Sequence, residues 1–124
     1  MQRLILAGGG HSHIEVLRRF AADPPRDTEV TVITPSQVLL YTGMWPGWVA
    51  GIYSREECAI PVERLARAAG CAWVQASLTG IDATCRSVRL DDGSSPKYDC
   101  LSIDIGSTPP LRAVAGATEH AVPV

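Results

Sequence analysis

The order of an apolar run, a glycine cluster and an amphipathic stretch near the N-terminus constrains this chain more than any other feature. Residues 4–7 are continuously apolar, Gly8, Gly9 and Gly10 follow directly, and residues 11–22 carry apolar side chains at helical spacing. This order predicts a buried strand, a tight turn and a helix. Strand, turn and helix in this order are typical of an α/β fold with a parallel sheet.

The glycine cluster is also typical of a site for the pyrophosphate of a dinucleotide. Gly8 permits the tight turn, Gly10 leaves room where the backbone approaches the pyrophosphate, and the first N–H groups of the helix face the anion. His13 occupies the position where the usual motif has a third glycine. The motif alone therefore leaves a βα turn without a ligand as the alternative.

The rest of the chain predicts a parallel sheet with flanking helices and a small antiparallel meander. The predicted parallel strands are residues 2–7, 29–34 and 72–78, the predicted helices are residues 11–22 and 60–70, and the predicted antiparallel strands are residues 82–87, 88–90 and 98–105.

Residues 36–52 are expected to be irregular and unusually aromatic. Such a segment either packs over a core or covers a flat ligand.

Composition limits the function classes. The chain has 124 residues, enough for one small domain with its own core. The net charge is −2 and Lys97 is the only lysine, which excludes a basic nucleic-acid interface. No apolar run is long enough to span a bilayer, and the N-terminal run is too short and glycine-rich for a signal peptide. We therefore expect a cytoplasmic protein without a transmembrane segment.

The cysteines and histidines do not predict a metal site. The four cysteines, none of them in a C-x-x-C pair, are Cys58, Cys71, Cys85 and Cys100. They are expected to be free thiols, buried or half-buried. His11 and His13 point to different faces of a helix, which argues against a shared ion. His13 is expected either near the pyrophosphate or packed on the sheet in place of glycine.

Three stretches resemble a known family. They are LILAGGG at residues 4–10, YTGMWPG at residues 41–47 and YDCLSIDIGSTP at residues 98–109. Together they resemble the FAD-binding N-terminal part of the pyridine nucleotide-disulfide oxidoreductase superfamily, near the NADH:quinone and sulfide:quinone reductase branch. The residues around the glycine cluster are also similar to the flavoprotein domain fused to selenophosphate synthetase.

This resemblance implies a Rossmann-like but incomplete FAD-binding domain over residues 1–124, with the nicotinamide-binding and C-terminal domains absent. The parent protein is then expected to pass electrons from NAD(P)H through FAD to an acceptor such as a quinone. The chain alone is expected to be inactive and to form a homo-oligomer. A non-catalytic nucleotide-binding or regulatory module is the alternative.

The expected cofactor contacts lie in five places along the chain. The glycine turn and helix start contribute Gly8, Gly9, Gly10, His11, Ser12 and His13, and the end of the second strand contributes Thr34, Pro35 and Gln37. The resemblance adds Thr42, Gly43 and Pro46 beside the isoalloxazine, Leu78 at the adenine through its main chain, and Gly106 and Ser107 at the phosphates. No catalytic residue is predicted, because in this class the flavin carries the hydride chemistry.

The sequence departs from the family pattern in four ways. His13 replaces the third glycine, and the second strand ends at Thr34 and Pro35 without an acidic residue for the adenosine ribose. The redox cysteine pair of the disulfide reductases is missing. Asp104, Ile105 and Gly106 stand where Ala-Thr-Gly is usual.

Overall fold

The computed structural model describes residues 1–107 and 110–121. In chain order the strands are β1 (Gln2–Ala7), β2 (Thr28–Ile33), β3 (Leu39–Leu40), β4 (Ala59–Ile60), β5 (Ala72–Val74), β6 (Leu78–Asp82), β7 (Ser87–Leu90) and β8 (Cys100–Ile103). The helices are α1 (His11–Ala22), α2 (Trp45–Val49), α3 (Val62–Ala68) and α4 (Ala117–His120), with short 3-10 helices at Thr42–Met44 and Leu111–Ala113.

A four-stranded parallel sheet forms the centre of the fold. Its strand order is β5-β2-β1-β8, and β3–β4 and β6–β7 form two small sheets beside it. Both small sheets are antiparallel. The predicted α/β class, with a parallel sheet, flanking helices and a small antiparallel part, is therefore confirmed.

The central strand β1 is covered on both faces. Leu6 packs with Leu17 of α1 and Val62 of α3 in one buried cluster. Ile5 lies in a second cluster with Val88 of β7. Since neighbouring residues of a strand point to opposite faces, this explains why the run at residues 4–7 is continuously apolar.

The last strand differs from the sequence prediction. Residues 98–105 were expected to be antiparallel, but β8 pairs in parallel with β1, with Leu4 beside Cys100 and Ala7 beside Ile103. The turn at residues 91–93 signals a local reversal of the chain. That reversal brings Lys97 to a single antiparallel bridge with Ser87, after which the chain returns to the parallel sheet. Residues 82–87, predicted as a strand, mostly form the turn between β6 and β7.

Several element boundaries also differ. The strand predicted over residues 72–78 ends at Val74, and Leu78 begins β6 instead. The helix predicted over residues 60–70 covers Val62–Ala68, and it ends before Gly70, whose φ is +69°. Residues 36–52 are not irregular throughout, since they contain β3, a 3-10 turn and the five-residue α2.

The four cysteines are free thiols, as predicted, but they differ in exposure. Cys58 and Cys71 are buried, whereas Cys85 and Cys100 are exposed, so the expectation of burial is wrong for the second pair. Burial raises the pKa of the Cys71 thiol. In the described part of the chain no helix combines the length and the apolar character that crossing a bilayer requires.

Candidate functional site

A cavity of about 530 Å³ lies at the carboxyl ends of the parallel strands. Four chain segments that follow β1, β2, β5 and β8 line it, at residues 8–11, 34–36, 76–78 and 104–107. Ile33 of β2 and a wall of Leu39, Leu40, Thr42 and Ile60 complete the lining. In open α/β sheets this edge is where ligands bind.

Two positions in the turn after β1 require glycine, because the chain that follows β8 packs directly against them. Gly8 has a φ of +97°, and a β-carbon there would overlap the backbone of Asp104. A β-carbon at Gly10 would overlap the Asp104 carboxylate. The space that Gly10 leaves was expected to admit a pyrophosphate, but Asp104 fills it. The two glycines are therefore explained by packing between segments of this chain.

His13 is buried beneath the glycine turn, with 2 % of its surface exposed. Its Nδ1 lies 2.8 Å from the carbonyl oxygen of Gly8, and its Nε2 lies 2.9 Å from Oγ of Ser102. Because a carbonyl oxygen can only accept, Nδ1 carries the proton, and in the neutral ring Nε2 accepts from the Ser102 hydroxyl. Of the two places expected for His13, the structure shows the packed one.

Asp104 joins the end of β8 to the start of α1. Its backbone N–H donates to the carbonyl of Ala7 at 2.8 Å, and its carbonyl accepts from the N–H of Gly10 at 3.0 Å. Its carboxylate accepts from the backbone N–H of His13 at 3.2 Å. This carboxylate supplies a helix cap, since Gly10 at the cap position has no side chain to do so.

Two donors at the start of α1 remain available. His11 and Ser12 occupy the first two positions of the helix, where backbone N–H groups lack an intrahelical partner. Among the described residues no hydrogen bond engages either group. Such free N–H groups, reinforced by the helix dipole, can hold an anion.

The turn after β2 is neutral. Thr34 is buried, and its hydroxyl lies 3.4 Å from the backbone N–H of Ser36, from which it accepts a long hydrogen bond. Gln37 lies outside the cavity lining and donates its amide N–H to Oε1 of Gln75 at 3.3 Å. The Thr34 hydroxyl also donates to the carbonyl of Ser36 at 3.5 Å, and the Ser36 hydroxyl donates to the carbonyl of Val38 at 2.5 Å. Both hydroxyl protons are therefore used within the turn, and the Ser36 oxygen can still accept a hydrogen bond.

The aromatic segment reaches the cavity only at its beginning. The rings of Tyr41 and His11 meet edge-on, with centroids 4.9 Å apart, which places this segment against the start of α1. Thr42 lines the cavity, whereas Gly43 and Pro46 do not. The Trp45 and Trp48 rings pack edge-on against each other, with centroids 6.3 Å apart.

The structure thus brings together most of the expected contact residues. Those that line the cavity are Gly8, Gly9, Gly10, His11, Thr34, Pro35, Thr42, Leu78, Gly106 and Ser107. Those outside the lining are Ser12, His13, Gln37, Gly43 and Pro46. Thr108 and Pro109, part of the third family-like stretch, lie outside the described residues.

Sequence reasoning missed two parts of the cavity. The apolar wall of Leu39, Leu40 and Ile60 belongs to a two-residue ribbon that is too short to produce a recognisable alternation. Asp104 was noted as a departure from the family, but its contacts with the glycine turn were not predicted. A signal was present, because an acidic residue directly follows a strand that ends at the ligand edge.

No group of three or more His, Cys, Asp or Glu side chains within residues 1–107 and 110–121 is arranged to hold a metal ion. The described lining also contains neither lysine nor arginine, and Asp104 is its one acidic residue. Binding at this cavity would therefore depend on backbone N–H groups, hydroxyls and apolar contact.

Comparisons with known proteins agree with this geometry. No protein-family model matches the chain. The external alternative NAD(P)H-ubiquinone oxidoreductase B4 of Arabidopsis thaliana, a mitochondrial protein, is 27 % identical over 130 residues, covering 97 % of this chain and 22 % of the relative. The sulfide:quinone oxidoreductase of Aquifex aeolicus superposes with a TM-score of 0.81 at 20 % identity, over 96 % of this chain and 27 % of the other.

A third comparison is with NDH2 of Plasmodium falciparum in complex with NADH, at a TM-score of 0.76 and 19 % identity, over 97 % of this chain and 25 % of that one. The chain has the fold of part of these oxidoreductases. The predicted resemblance to the pyridine nucleotide-disulfide oxidoreductases of the quinone-reducing branch is confirmed. This oxidoreductase fold covers almost the whole chain but only about a quarter of each relative.

Proposed function

We propose that the chain is the FAD-binding part of a NAD(P)H-dependent flavin oxidoreductase. The observation that carries this proposal is the cavity at the carboxyl ends of the parallel strands, bounded by the glycine turn and by His11 at the start of α1, whose backbone N–H has no partner among the described residues. The relatives support it, since one is a NAD(P)H-ubiquinone oxidoreductase and another was solved with NADH.

The residues of the cavity fit an adenine dinucleotide. The backbone N–H of His11, with that of Ser12 beside it, would hold the pyrophosphate, and the Ser36 hydroxyl oxygen, which can still accept a hydrogen bond, would face the adenosine ribose. Leu39, Leu40 and Ile60 offer an apolar wall for a ring system. FAD bound here would supply the hydride chemistry, while this chain's residues bind and orient it.

The whole protein's reaction is part of the proposal. Electrons would pass from NAD(P)H to an acceptor such as a quinone, by analogy with the relatives, and we place the protein in the cytoplasm. We expect residues 1–124 alone not to turn over NADH, because hydride transfer requires a nicotinamide held against the flavin.

A non-catalytic nucleotide-binding module is the second candidate. It is favoured by the cavity lining, in which the described residues include no lysine, arginine or cysteine and no pair of carboxylates. Such a site would bind the adenosine and pyrophosphate part of a ligand without a need for its flavin.

Ligand titration distinguishes the two candidates. We expect the purified chain to bind FAD, measured by calorimetry and by quenching of flavin fluorescence. Thr42→Trp, which places a large ring in the cavity, should abolish binding. Val49→Trp, on an exposed position of α2 outside the lining, should leave it unchanged. Circular dichroism of both variants should show the same spectrum as the parent chain if they are folded.

The relative affinities for two ligands distinguish the candidates. Binding of FAD that is tighter than binding of ADP-ribose supports a flavin site, because the two ligands carry the same charge and the isoalloxazine then contributes. Equal affinity for FAD and ADP-ribose supports the binding module. A folded chain that binds neither ligand contradicts both candidates.

A further inference from the structure

We propose that Asp104 makes the cavity selective for dinucleotides, whose pyrophosphate is esterified at both ends, over nucleotides with a terminal phosphate. The inference rests on the proposed function, since it assumes that a pyrophosphate binds at the start of α1. It assigns a specificity role to a residue that stands where the related family has alanine.

The position of Asp104 places a fixed negative charge at the phosphate end of the cavity. Its carboxylate is hydrogen-bonded to the third N–H of α1, at His13, and contacts Gly10. The first two N–H groups, at His11 and Ser12, are the ones left for a ligand. A bound phosphate group would therefore share one helix end with this carboxylate.

The described lining contains no lysine or arginine that would offset this charge, and its one histidine is His11. Apart from His11, the ligand's negative charges therefore meet the partial positive charge of the helix start. Each additional charge on the ligand then increases the repulsion from Asp104, since a partly enclosed site screens it less than bulk water does.

A terminal phosphate carries this additional charge. Its second ionisation lies at a pKa of about 6, so at neutral pH it is mostly doubly charged. A phosphate esterified on both sides has no second ionisation. ADP-ribose and FAD therefore present less negative charge to Asp104 than ADP does, and ATP presents the most.

Asp104→Asn removes the negative charge of residue 104 while keeping the hydrogen bonds that this residue makes. The amide oxygen can still accept from the N–H of His13, so the helix cap is retained. The backbone contacts of residue 104 with Ala7 and Gly10 do not involve the side chain. Glu29→Gln is the matched control, because Glu29 is exposed and lies near the start of β2, at the opposite edge of the sheet from the cavity.

The experiment measures dissociation constants of ADP-ribose, ADP and ATP by calorimetry at low salt. We expect the parent chain and Glu29→Gln to bind ADP-ribose about tenfold more tightly than ADP, with ATP weaker still. In Asp104→Asn the preference should fall to about twofold or less, mainly because ADP binds more tightly.

Salt provides a second measurement on the parent chain alone. Raising the ionic strength should reduce its preference for ADP-ribose, because screening weakens the repulsion. This keeps the inference testable if Asp104→Asn does not fold. A preference that is the same in the parent chain and in Asp104→Asn, or one that does not respond to salt, overturns the inference while leaving the proposed function intact. Absence of binding by all three nucleotides overturns both.

Discussion

Contact between the glycine turn and Asp104 sets the tightest steric constraint among the residues of the site. Gly8 and Gly10 both face Asp104, the first against its backbone and the second against its carboxylate. The carboxylate could move aside only by giving up its hydrogen bond to the N–H of His13. Substitution at Gly10 should therefore affect stability as well as ligand binding.

We expect Gly10→Ala to lower the free energy of unfolding by about 1–3 kcal/mol, the range for overpacking in a well-packed region. The same substitution in an Asp104→Ala background should cost much less, because the overlapping carboxylate is gone. Urea denaturation of the four chains of this double-mutant cycle measures the coupling. Additive effects would show that Gly10 and Asp104 do not constrain each other. Ser12→Ala serves as the control, because the Ser12 side chain is exposed in the first turn of α1.

The sequence predicts individual residues well where the reason is local. The glycine turn follows from the strand-turn-helix order, and the position of His13 in place of a third glycine left two expectations, of which the structure shows the packed one. The partners of His13 and Gly10 do not follow from this order, because Ser102 and Asp104 are distant in the sequence, 89 and 91 residues from His13. Only the parallel pairing of β8 with β1 brings them to the turn.

At the level of elements, an ion pair fixes the start of β8 to β1. The guanidinium of Arg3 donates to both carboxylate oxygens of Asp99, at 3.1 and 3.0 Å, and the Arg3 backbone N–H adds a third bond at 2.8 Å. These hydrogen bonds lower the pKa of Asp99 to about 2. The pair lies directly before the residues at which Leu4 meets Cys100, next to a backbone hydrogen bond from Asp99 to the Arg3 carbonyl at 2.9 Å.

Stability should depend on this carboxylate in acid. Because the pKa of Asp99 is lower in the folded chain than its unfolded value of about 3.9, its contribution is present above that pH and is lost as the pH falls toward 2. We expect Asp99→Asn to be less stable than the parent chain at neutral pH, with the difference disappearing near pH 2. Thermal melts across this range measure it. A stability difference between the two chains that does not depend on pH would exclude the ion pair as its cause. Glu119→Gln serves as the control.

Long elements with a regular apolar pattern were predicted more accurately from the sequence than short ones. The bounds of β1 and α1 match the prediction, because both have long and regular apolar patterns. The two-residue strands β3 and β4 were missed, since so few residues carry no period. The direction of β8 was wrong because a local turn signal at residues 91–93 says nothing about the strand's distant partner.

For the whole molecule, the sheet has an exposed apolar edge. β8 is the last strand in the sheet order, and no described strand pairs with its outer side. Ile103 and the following Ile105 are 48 % and 65 % exposed. Unpaired edges with apolar side chains tend to pair with another chain.

We therefore expect the isolated chain to self-associate through this edge. Size-exclusion chromatography with light scattering should show a dimer or larger species, and Ile105→Glu should shift it toward the monomer. Ile81→Glu, on the separate β6–β7 sheet and similarly exposed at 41 %, should not. A parent chain that stays monomeric at high concentration would contradict the expectation.

The place of β8 in the sheet also has a consequence for how the chain folds. β1 and β2 are close in sequence and can pair early. The other edge of β1 pairs with β8, and the contact between Arg3 and Asp99 that joins these two strands spans 96 residues. Closing so long a loop slows folding. Since Asp104 and Ser102 complete the glycine turn, this turn reaches its final form only after the other described strands have been synthesised.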